Sequence, residues 1–69
     1  MPLVVAPTGV EHMIKRVGGS EETKRHLQEL GFVSGAYVTV VNEISGNLIV
    51  NIKESRVAVD KQLAQKIMV

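Results

Sequence analysis

Ser20 to Gly35, read S-E-E-T-K-R-H-L-Q-E-L-G-F-V-S-G, is the stretch that decides the fold. Ser20 stands where an N-cap accepts from the first free N–H groups of a helix. Glu21 and Glu22 then face the positive end of its dipole. Gly31 follows the last apolar residue, Leu30, and can take the left-handed conformation that ends a helix. With Leu30 as C-cap, Phe32 falls at C″ and Leu27 at C3, the pair whose side chains touch in a Schellman motif. The alternating run Ala36-Tyr37-Val38-Thr39-Val40-Val41 begins directly after Gly35. The local code therefore predicts one helix close to residues 20–30, handed straight into a β region.

Thr23, Leu27 and Leu30 fall on one side of that helix, at spacings of four and three, and form its buried stripe. So short a helix is marginal alone and depends on packing. Glu21–Arg25 and Arg25–Glu29 are i,i+4 neighbours, each pair contributing a few tenths of a kcal/mol where it forms. Downstream, Val38 and Val40 share a face opposite Tyr37, Thr39 and Val41. Ser45-Gly46-Asn47 is turn chemistry, and Leu48, Val50 and Ile52 alternate with Ile49, Asn51 and Lys53. Lys53-Glu54-Ser55 reverses the chain without a glycine, and Val57 and Val59 continue the inward pattern. Asp60 is placed to cap a short turn over 61–65, before Ile67-Met68-Val69 closes as a last strand.

Upstream, Pro2 to Ala6 is apolar and extended in pattern, and Pro7-Thr8-Gly9 is a turn. Val10 to Val17 has the composition of a strand. Ile14 and Val17 are its buried candidates, yet three residues apart they would point to opposite faces. A bulge near Lys15-Arg16 would reconcile them. Five or so short strands in a small domain point to a closed or half-closed antiparallel barrel, mainly β, with one inserted helix. Its expected core includes Ile14, Val17, Leu27, Leu30, Val38, Val40, Val50 and Val57.

The whole chain, residues 1–69, reads as a single domain, because 69 residues hold no second core. At 45% hydrophobic and 22% charged it is too apolar to be disordered. It has no cysteine, so no disulfide supports so small a core, and packing against a second copy is a plausible supplement. No apolar run approaches the roughly 20 residues of a membrane span, and the first residues lack a basic leader. A cytoplasmic location is expected. A net charge of +1, with Lys15-Arg16 and Lys24-Arg25 as the only basic pairs, argues against nucleic acid.

Catalysis finds little support. There is no cysteine nucleophile. Ser20, Ser34, Ser45 and Ser55 each have a cap or turn role, and Gly18-Gly19 lacks the spacing of a phosphate loop. Glu22 and His26, i,i+4 on one helical face, could both reach a divalent ion. His12 would add a third ligand only if the first strand crosses near the helix start. Solvated charge is the simpler reading of those residues. The aromatics, one Phe and one Tyr, are too few for a proline-peptide groove. An aliphatic docking surface remains, with Leu27, Phe32, Val33 and Tyr37 around the end of the helix and Arg25 at the rim.

The block L-x-x-L-G-F-V-S-G-A-Y-V-T-V-V, from Leu27 to Val41, resembles the L-x-x-L-G-[aliphatic]-x-P-G-x-x-V-x-V pattern of the FeoA family of small proteins of bacterial ferrous iron transport. Pro7-Thr8-Gly9 with Ile14-x-x-Val17-Gly18 is similar to the family's opening. Ala58-Val59, Ala64 and Ile67-x-Val69 match its closing pattern. Ser34 stands where the family usually has proline, and Ser45-Gly46-Asn47-Leu48 replaces a proline-bearing hairpin. The resemblance implies an SH3-like barrel and a non-catalytic, regulatory role beside the FeoB-type membrane transporter, docked on its cytosolic GTP-binding region. It also implies an alternative, direct binding of a divalent transition metal ion. The same barrel closes metal-dependent repressors of the diphtheria toxin repressor type, but these 69 residues hold no helix-turn-helix.

Overall fold

A computed structural model describes residues 1–69. The sequence-predicted helix is α1, Glu21–Glu29. Ser20 caps it in extended conformation, its Oγ accepting from the Thr23 N–H at 3.2 Å. Both Schellman bonds form at the other end: Gly31 N–H donates to the Gln28 carbonyl and Phe32 N–H to the Leu27 carbonyl, each at 2.9 Å. Gly31 sits at φ +104°. Leu27 and Phe32 are fully buried, as the C3–C″ contact of that motif requires.

Six strands in two antiparallel sheets make up the rest. β1 (Glu11–Met13), β3 (Tyr37–Ile44), β4 (Asn47–Ile52) and β5 (Ser55–Asp60) form one sheet in the order β1-β3-β4-β5. β2 (Arg16–Val17) pairs with β6 (Ile67–Met68) in the other. The β3–β4 hairpin turns through Ser45 and Gly46, at φ +51° and +79°, the positive pair that suits a two-residue connection. Between β5 and β6 lies the single turn α2 (Lys61–Ala64), capped by Asp60, whose Oδ1 accepts from the Leu63 N–H at 2.8 Å.

Three features depart from the sequence reading. The segment Val10–Val17 is no continuous bulged strand. It breaks at Ile14-Lys15, where Ile14 N–H donates to Ala36 in one sheet's neighbourhood and Lys15 N–H to Met68 in the other. This corner joins the two sheets and leaves Ile14 completely buried. The bulge lies instead in β3, where the register shifts between Val40 and Asn42 around Val41. Pro2–Ala6 is not extended throughout: Leu3–Val5 forms a 3-10 turn that sinks Leu3 into the core, while Pro2 bridges Met68.

The core unites Leu3, Ile14, Leu27 and Phe32 with the inward residues of β3, β4 and β5 and with Ala64, Ile67 and Val69. Val17, Leu30 and Val57, expected to be buried, are only half-buried and pack against its margin. Each lies at a rim: a two-residue strand, a helix end, and the outermost strand of the sheet. No helix is long and apolar enough to cross a membrane.

Candidate functional site

The outer face of the four-stranded sheet carries the most chemistry. Strand alternation that buries Val38, Val40, Val50 and Ile52 turns Tyr37, Thr39, Asn51 and Lys53 outward. The register aligns Glu11, Thr39, Asn51 and Arg56 in one row across all four strands. Arg56 Nε donates to Asn51 Oδ1 at 3.2 Å. In the neighbouring row, Met13 lies directly opposite Tyr37. Glu11, Ala36, Tyr37, Thr39, Asn51 and Lys53 line an open cleft of about 350 Å³. Four of those six residues are polar or charged; the apolar exposure lies at the cleft's edge, where Tyr37 is 56% exposed and the Met13 opposite it 48%. Val33, in the turn that leads into β3, is also exposed. That turn is pinned by Ser34, whose Oγ donates to the Lys15 carbonyl, so serine here holds the loop to the corner of the barrel.

The structure sorts the sequence-predicted surface into two groups. Leu27 and Phe32 are fully buried and cannot touch a partner. The Schellman geometry that ends the helix also drives Phe32 inward. Val33 and Tyr37 are on the surface, and Arg25 projects from the solvent side of α1, two residues and about 200° around from Leu27. The expected Glu21–Arg25 and Arg25–Glu29 pairs do not form; α1 instead carries a long Lys24–Glu21 contact of 3.9 Å. Met13 is the surface residue that sequence reasoning missed. Its importance comes from standing across from Tyr37, which the strand register reveals and the local pattern does not.

The proposed metal ligands are not assembled. Glu22 and His26 remain an exposed pair on α1, and no three acidic or histidine side chains converge anywhere in the chain. His12 does not join them. It pairs with Val38 in the β1–β3 ladder and is half-buried, with its Nε2 shielded and unpartnered.

The family model for the FeoA domain matches residues 1–69, the full length of this barrel. The chain belongs to the FeoA family. It is 31% identical over 68 residues to the Methanocaldococcus jannaschii protein that carries the name Fe(2+) transport protein A, spanning 99% of this chain and 83% of that one. The crystal structure of an iron uptake regulatory protein, FeoA, has a TM-score of 0.91 over 100% of this chain and 93% of its own. At 24% identity that likeness speaks to fold. The zinc complex of Stenotrophomonas maltophilia FeoA, described as a procaryotic SH3 domain protein, has a TM-score of 0.86 at 27% identity, covering 100% and 88% of the two chains. The FeoA family is one of ferrous iron transport, and the architecture here is its SH3-like barrel.

Proposed function

We propose that this protein is a non-catalytic accessory module of ferrous iron uptake, acting in the cytoplasm by docking on the cytosolic GTP-binding region of a FeoB-type transporter. The observation that carries the docking surface is the exposed Met13–Tyr37 pair beside the cleft, with Val33 close by in sequence at the entry to β3. Large apolar side chains gathered on one face are disfavoured in water unless something covers them, and tyrosine and methionine are enriched where partners do so. Glu11, Lys53 and Thr39 supply a polar rim that fixes orientation. Arg25, exposed on α1 and free of ion pairs, is the cation that the reading adds to the contact.

The test is a titration of the transporter's cytosolic region with the parent chain and with Tyr37→Ala, Met13→Ser and Arg25→Glu. Tyr37→Ala and Met13→Ser are expected to weaken association at least several-fold, and Arg25→Glu less. Undiminished binding by folded Tyr37→Ala and Met13→Ser proteins would move the contact to another face.

A further inference from the structure

The outermost strand β5 has one side without a partner. It pairs only with β4, and no other backbone hydrogen bond reaches Arg56 or Ala58. The two-residue turn Lys53-Glu54 makes Ile52 and Ser55 its flanking bonded pair. Bonded and non-bonded pairs alternate along an antiparallel ladder, so Val57 and Val59 also bond to β4. The N–H and C=O groups of Arg56 and Ala58 therefore point to the open edge.

The sequence on that edge, R-V-A-V-D from Arg56 to Asp60, is self-complementary when run against itself. With a two-fold axis at Ala58, each Arg56 stands opposite the second copy's Asp60, and each Val57 opposite the second copy's Val59. The axis also matches the bonding phase. The two Ala58 residues exchange both backbone bonds, and Asp60 N–H on each side reaches the facing Arg56 carbonyl. Charge agrees with register. Neither Arg56 nor Asp60 has an ion-pair partner within the chain. Arg56 uses only Nε, toward Asn51, which leaves both terminal guanidinium nitrogens free. Asp60 uses Oδ1 to cap α2, which leaves Oδ2.

We infer that β5 is a homodimerisation edge, joining two copies antiparallel about Ala58 into a continuous eight-stranded sheet. The half-buried Val57 gains cover against the second copy's valine. A second copy fits better than an unrelated strand because the charge match requires this same sequence read backwards. Such an isologous interface satisfies open sheet edges that would otherwise recruit other strands. It uses none of Met13, Val33 or Tyr37, so a transporter could dock on the dimer, and each interface stands or falls alone.

The experiment is analytical ultracentrifugation of the full chain from micromolar concentrations to about 1 mM, the range in which weak dimers exchange with monomers. Amide hydrogen exchange is read at both ends of the range. A reversible dimer is expected, weakened by added salt, with the Ala58 and Asp60 amides slowed at high concentration. Arg56→Glu places like charges opposite each other twice and is expected to raise the dissociation constant at least about tenfold. Ala58→Pro deletes the axial donors, whose direction its own ladder does not need, and is expected to leave a monomer. A monomer throughout the range would overturn the inference. So would an Arg56→Glu protein, folded by its melting curve, that associates like the parent, or slowed amides on other strands.

Discussion

Phe32 and Tyr37, the chain's only aromatics, lie five residues apart and have opposite fates. Phe32 is fully buried and Tyr37 is 56% exposed. Phe32 is turned inward by a helix stop: Gly31 at φ +104° and the two Schellman bonds aim position C″ back at Leu27. Tyr37 opens β3, where alternation faces Val38 inward and leaves its neighbour outside. Two residues of similar size in one short segment thus serve different ends. One closes the core, and the other is free to meet a partner.

The largest effect that would test this contrast is Phe32→Ala. Truncating a completely buried phenylalanine costs about 3–5 kcal/mol. A chain of this length holds roughly 3–10 kcal/mol in total. The variant should be largely unfolded at room temperature, as read by urea denaturation and far-ultraviolet circular dichroism. A small loss would mean that Phe32 is not the plug between α1 and the sheet.

Gly31→Val comes next. A Cβ at Gly31 would meet only the Ile52 side chain at 3.8 Å and the Lys53 side chain at 3.9 Å, both ordinary contacts. Space is therefore not the issue, and the expected loss of about 1–2 kcal/mol comes from forcing a β-branched residue to positive φ. A lowered denaturation midpoint at unchanged slope is the expected result. An unchanged midpoint would show that the helix ends by another route.

The smallest stability effect belongs to Tyr37→Ala, expected within about 0.5 kcal/mol because the side chain lies mostly in solvent. Its melting curve should nearly overlay the parent's while its affinity for the transporter's cytosolic region falls. A loss comparable to that of Phe32→Ala would erase the contrast and make Tyr37 a structural residue.

The same contrast explains which parts of the site could be read from sequence. Val33, Tyr37 and Arg25 were legible as surface residues because loop position, strand phase and helix face follow from the near neighbours of each. Leu27 and Phe32 looked like docking residues because they crowd the helix end. The Schellman stop already pairs their side chains, and the full burial of both leaves no part of either for a partner. The ligand set of Glu22, His26 and His12 needed β1 to cross near α1. That depends on long-range packing, which brings no third such side chain to the pair.

By itself, the sequence determined α1 with both its caps, the glycine turn between β3 and β4, the inward faces of β3 and β4, and the Asp60 cap of α2. All of these depend on interactions within a few residues, where side-chain hydrogen bonds, positive φ and two-residue periodicity act directly. Tertiary structure alone decided the corner at Ile14-Lys15, the bulge at Val41, the burial of Leu3 and the opposition of Met13 to Tyr37. The physical reason is barrel closure. Joining two sheets around one core fixes where a strand must break, which residue is left over in a ladder, and which apolar end of the chain fills the remaining space. None of these is a property of the residues next to it.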